Sequence, residues 1–199
     1  MREARTVAKS LGQLASSELI CEVFARCFAQ SHRSLLVAGG DEPFYQPAIV
    51  SDDYHQIVFR ADYAASALHE AAHWCIAGEA RRQLPDYGYW YEPDGRDAAR
   101  QSVFESVEIC PQALECLFSY AAGRRFRVSI DNLGGVEIDP FPFQLAVWQQ
   151  CQRYLRNGLP PRGELFRQAL AQEFGTSVAL ESINIPLSYV VDKCLISNR

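Results

Sequence analysis

The sequence predicts a single α+β domain in which a metal-binding helix pair packs on a small β-sheet. Three observations carry this expectation: two short apolar runs bounded by turn residues, a series of helical apolar stripes, and the string His69-Glu70-Ala71-Ala72-His73 between them. Two imidazoles four residues apart face the same side of a helix and can share one metal ion. The chain has four histidines in all, so two of them at ligand spacing around a carboxylate point to metal chemistry. Pro and Gly are scattered singly and 199 residues suffice for one filled core, so one domain is expected.

The elements follow in order. Ser16-Ser17 precedes an amphipathic helix whose Leu19, Ile20, Val23, Phe24, Cys27 and Phe28 share a face. Leu35-Leu36-Val37 and Ile57-Val58-Phe59 read as strands, joined by an irregular loop through Gly39-Gly40-Asp41-Glu42-Pro43 and Ser51-Asp52-Asp53. The second strand feeds the histidine helix, which can begin at Asp62 as N-cap and must stop by Pro85. From Asp86 to Asp97 the chain is too rich in Gly, Pro and Asp to be regular, and forms an aromatic loop. Asp97 caps a second helix through Glu108, which Pro111 restarts or kinks on the way to Gly123. Phe126 to Ile130 reads as a strand. Phe143 to Arg156 and Glu164 to Phe174 are packing helices, ended by Gly158 with Pro160-Pro161 and by Gly175. A strand or docked segment can form around Leu187-Ser188-Tyr189-Val190-Val191.

Composition removes several classes of function. With 48% hydrophobic and 22% charged residues the chain is neither disordered nor membrane-spanning, and no apolar run approaches the roughly 18 residues a spanning helix needs. The first ten residues carry charge without a following apolar stretch of signal-peptide length, so a soluble, cytoplasmic protein is expected. Seven cysteines, an odd number with no Cys-x-x-Cys pair, read as reduced thiols. Net charge −5 argues against nucleic acid as the main partner despite the clusters Arg81-Arg82 and Arg124-Arg125-Phe126-Arg127, and suits a cationic substrate better.

Two histidines need at least one further protein ligand, and a carboxylate is the usual one. Gln101, Glu105 and Glu108 fall at i, i+4 and i+7 on the second helix, a polar face opposite Val103, Phe104 and Val107. Glu105 is the expected third ligand and Glu108 the alternative. The His-Glu-x-x-His helix followed by a later carboxylate resembles the zincin metallopeptidases, in which Glu70 would be the general base for a metal-bound water. Tyr87, Tyr89, Trp90 and Tyr91 can roof the core or meet a substrate. His32 and His55 lack a ligand-spaced partner and read as structural or exposed.

Beyond that motif, a set of stretches resembles the bacterial elongation factor P hydroxylase family. They are Gly40-Asp41-Glu42-Pro43, Ile57-Val58-Phe59, Tyr63 to Glu70, His73 to Gly78, Gly88-Tyr89-Trp90-Tyr91, Pro93 to Asp97, Phe104 to Glu108, Pro111 to Leu114 and Asp131-Asn132-Leu133. The resemblance divides the chain into a variable extension over 1–15, a metal-binding domain over 16–175 and a tail over 176–199. It implies hydroxylation of a lysine of elongation factor P that already carries a β-lysyl group, a cytoplasmic modification of the translation machinery. It also implies a monooxygenase using non-haem iron(II) and oxygen, with His69, His73 and a carboxylate as ligands and Glu70 as a proton-handling residue; in the peptidase alternative the metal is zinc. The partner is then lysylated elongation factor P, with no direct nucleic-acid or membrane partner. A long cationic side chain must reach the metal, for which Tyr89, Trp90, Asp94 and Asp97 are the substrate-binding candidates. No Gly-x-Gly-x-x-Gly cofactor fingerprint identifies an electron donor.

Overall fold

A computed structural model describes residues 15–88, 96–130 and 139–191. Helix α1 (Ser17–Phe28) starts where the Ser16 hydroxyl accepts the Leu19 N–H at 3.4 Å, and buries Ile20, Val23, Phe24 and Phe28. Strands β1 (Ser34–Gly40), β2 (Phe44–Gln46) and β3 (His55–Arg60) form one sheet in the order β1-β3-β2. β1 and β3 run parallel with Leu36 opposite Ile57 and Ala38 opposite Phe59, and β2 is antiparallel to β3 with Tyr45 opposite Ile57. Leu36, Tyr45, Ile57 and Phe59 therefore present one buried face, on which α1 and the histidine helix lie. The β1–β3 register slips between Ala38 and Gly40, where Gly39 takes φ +105° and a Cβ on Gly40 would stand 2.7 Å from the Glu42 carbonyl oxygen. Strand β2 lies inside the stretch read as loop. It has three residues flanked by Pro43 and Pro47, too few to show a period of two.

Helix α2 (Ala64–Ile76) carries the histidines. It begins after extended Tyr63 rather than with Asp62 as cap, and ends well before Pro85, the intervening chain making 3-10 turns at Arg81–Gln83 and Pro85–Gly88. Its end is set by tertiary cations. Arg162 donates to the carbonyls of Trp74, Cys75 and Ala77 at 3.1, 3.1 and 2.6 Å, and Arg82 donates to Ala77 at 2.7 Å. These guanidiniums satisfy orphaned carbonyls at the negative end of the helix dipole.

Helix α3 (Ala98–Ala121) is continuous through Pro111, with the Asp97 carboxylate accepting the Arg100 N–H at 2.9 Å. The bond that Pro111 cannot make belongs to the carbonyl of Val107, a residue 45% exposed, so water can serve it. Helices α4 (Phe141–Asn157) and α5 (Pro161–Phe174) occupy the expected spans within a few residues. Phe126 to Ile130 forms no strand among the described residues, and Leu187–Val190 is a short helix, α6, rather than a strand. Among the described residues no helix is long and apolar enough to cross a membrane, and Cys21, Cys27, Cys75, Cys110, Cys116 and Cys151 are free thiols.

Two apolar clusters meet at α3. The first joins α1, the sheet, α2 and α5 around Trp74, whose ring packs against Phe24 and Phe28 at centroid distances of 5.2 and 4.7 Å. The second joins Ala113, Cys116 and Leu117 to Phe126, Phe143, Val147 and Cys151, and draws in Ile183, Ile185 and Val190 from beyond α5. Leu114 and Phe118 give α3 a face in the first cluster as well. The remaining face of α3 is polar and buried, which places the site.

Candidate metal centre

Four residues per near-turn bring His69 and His73 to one side of α2, their Nε2 atoms 3.0 Å apart. Helix α3 packs across this side and delivers Glu108, 1% exposed, with Oε1 3.2 Å from Nε2 of His73 and Oε2 3.5 Å from Nε2 of His69. One donor atom from each of the three lies within 4.8 Å of the others. These separations fit a single cation. Ligand bonds near 2.1 Å put neighbouring donors about 3.0 Å apart in an octahedron and about 3.4 Å apart in a tetrahedron. Nε2 of each imidazole and the Glu108 carboxylate would hold such a cation between α2 and α3.

Glu115, two turns beyond Glu108 on α3, fixes the tautomer of the first histidine. Its Oε2 lies 2.9 Å from Nδ1 of His69, and an ionised carboxylate only accepts, so Nδ1–H donates and the Nε2 edge turns toward His73 and Glu108. This carboxylate–histidine arrangement orients ligands in metal sites generally.

The electrostatics favour positive charge at the same place. Burial works to lower the His69 pKa, but the Glu115 hydrogen bond and the charges of Glu108, Glu115 and Glu70 outweigh it and push the pKa up to about 10. Burial raises the pKa of Glu70, with the two imidazoles pulling it back down, and raises that of Glu115 against its bond to His69. The three carboxylates thus favour positive charge at this donor group.

The other sequence candidates fall elsewhere. Glu105, half-buried one turn before Glu108, accepts a hydrogen bond from Gln101 at 3.1 Å and does not join the donor group. Asp97 is exposed and caps α3. Tyr89, Trp90 and Asp94 lie outside the described residues. Tyr87 is buried, its ring stacked on Tyr45 at 4.3 Å, while Asp86 accepts the edge-strand N–H of Tyr45 at 2.8 Å. His55 accepts the Ala48 N–H at 3.0 Å, and His32 sets its ring edge against Trp74 at 5.4 Å. Glu115 and the buried amide of Gln112 were not anticipated. Both continue the face of Glu108 at i+7 and i+4, and the helical wheel would have found them had it been carried through Pro111.

The profile of the elongation factor P hydroxylases matches residues 23–184. The chain is also 48% identical over 159 residues to the elongation factor P lysine hydroxylase of Haemophilus influenzae, an alignment covering 80% of this chain and 89% of that protein. The profile match contains α2 and α3 whole, and with them His69, His73, Glu108, Gln112 and Glu115.

Proposed function

Because the chain belongs to the elongation factor P hydroxylase family, we propose that it hydroxylates a lysine of elongation factor P, with His69, His73 and Glu108 holding iron(II). The observation that supports the ligand set is the cluster of donors, with the two Nε2 atoms 3.0 Å apart and the two Glu108 oxygens 3.2 Å from His73 and 3.5 Å from His69. Glu108 takes the place expected of Glu105 because it is the carboxylate, among the described residues, with an oxygen near each imidazole. Two histidines and one carboxylate on one face of a metal are the ligand set of iron centres that activate oxygen, which is the chemistry bound iron supplies here. The protein residues bind and orient: Glu115 holds His69 in ligand tautomer, and Glu70, next to His69 on α2 and with its pKa raised by burial, is suited to carry a proton.

The substrate lysine carries its β-lysyl group when it arrives, and the enzyme works in the cytoplasm as a monooxygenase on the domain spanning 16–175. Tyr89, Trp90 and Asp94 are assigned to the incoming cationic side chain, and so is Asp97, the exposed cap of α3. Peptide hydrolysis by a zincin-like zinc site, the other use of His-Glu-x-x-His, gains no support from the matched relatives. Peptide mass spectrometry after incubation with β-lysylated elongation factor P, iron(II), oxygen and a reductant tests the reading. One oxygen atom gained on the modified lysine, and absent with His69→Ala, is the expected result. An iron-loaded protein that adds no oxygen would overturn it, and cleavage of the factor would restore the peptidase.

A further inference from the structure

We propose that Gln112 is a positioning residue that fixes the Glu108 carboxylate in its ligand orientation and references it to the segment Phe126 to Ile130 through Ser129. The inference rests on the assignment of Glu108 as a metal ligand. Gln112 is 1% exposed and one turn after Glu108 on α3. Its Oε1 accepts the backbone N–H of Ser129 at 3.1 Å, and its Nε2 donates to the backbone carbonyl of Ser129 at 2.8 Å. A side-chain amide thus makes to Ser129 both bonds of a β-ladder rung.

The double bond to one residue removes the usual ambiguity of an amide. Turned over, Oε1 would face a carbonyl oxygen and Nε2 an N–H, so the native orientation is imposed by the backbone. The amide nitrogen has a second hydrogen, and the acceptor within its reach is Oε2 of Glu108 at 3.4 Å. A donor at this point favours the ionised carboxylate and restrains its terminal torsion, which is otherwise broad. With Oε2 held, Oε1 stays 3.2 Å from Nε2 of His73. Ser129 is itself anchored, since Phe126 is buried in the second apolar cluster and Val128 and Ile130 pack against it. The imidazoles therefore ride on a helix of the first cluster, while the carboxylate is indexed to the second.

Cobalt(II) binding to the metal-free protein, followed by visible absorption, tests this. Gln112→Met keeps length and removes the donor; it is expected to lower cobalt affinity about 10- to 100-fold, the range for residues that orient metal ligands, and to alter the cobalt spectrum. Gln101→Met is the structural control. Gln101 is equally buried and bonds the Ile130 carbonyl at 3.2 Å, but its carboxylate partner is Glu105, so cobalt affinity should stay near wild type. Equal losses in both variants, or an unchanged affinity and spectrum in Gln112→Met, would overturn the proposal. If Gln112→Met does not fold, Ser129→Pro, which deletes the N–H that locks the amide, must lower affinity in the same direction, and no change there overturns it too. Glu108→Ala separates the two levels. If that variant binds cobalt as wild type does, the ligand assignment fails and the inference with it; if it loses cobalt while Gln112→Met does not, the amide's role alone fails.

Discussion

Glu105 and Glu108 are one turn apart on the same helix and meet different partners. At 3.2 and 3.5 Å from the two imidazoles Glu108 is within a cation's reach, whereas Glu105 is engaged by Gln101. Glu108→Ala is therefore expected to weaken cobalt(II) binding by 100-fold or more on the order of a lost ligand, and Glu105→Ala to change it by about twofold at most. A titration in which Glu105→Ala is the damaging variant would return the ligand role to Glu105. The histidine pair was legible because i, i+4 spacing is a local property of one helix. The choice between two glutamates was not, because it depends on a second helix whose docking no spacing encodes. Glu115 was hidden for a related reason: Pro111 suggested a break, while the helix and its polar face run on through it.

At the scale of elements, α3 is inside out along its first half. Val103 and Val107 are 67% and 45% exposed while Gln101 and Glu108 are 1% exposed, the reverse of an ordinary surface helix. The sequence pattern gave two opposed faces correctly but could not say which was outward, since burying carboxylates is favourable only beside the imidazoles of α2. The Asp97 cap was readable from residue type, and Asp97→Ala should cost about 1 kcal/mol in urea unfolding through the orphaned Arg100 N–H. Within α5, Arg167 is fully buried and donates to both Glu164 oxygens, at 2.7 and 2.8 Å. Partial burial works to raise the Glu164 pKa, but bonds from Arg167 and Gln168 outweigh it and hold it below its ordinary 4.5. The folded chain thus binds that proton less readily than the unfolded one, so the stabilisation is complete above pH 4.5 and is lost as pH falls through the lower folded value. Urea midpoints of wild type and Glu164→Gln should differ most at neutral pH and converge in acid; a gap that persists at pH 3 would assign the effect to packing instead.

The whole molecule is two apolar clusters sharing α3, with the donor group at the seam. Phe166 links α5 to the first cluster, 5.3 Å from Phe24 and 5.0 Å from Phe118, and Phe166→Ala should cost about 3–5 kcal/mol in the same unfolding assay. The α+β class followed from short apolar runs and helical stripes, and α1, β1, β3, α4 and α5 fall where those patterns put them. What the patterns could not supply are the pieces held by distant partners: β2 against β3, the end of α2 under Arg162, and the segment clamped by Gln112. That division also orders events in time. His69 and Glu115 are 46 residues apart in the chain, and the helix bearing the first can offer a cation only two imidazoles until the second has docked. The donor group is therefore complete only once α2 and α3 have docked. A chelator should strip a bound cation while far-ultraviolet circular dichroism is retained, and the stripped protein should take the cation up again without refolding.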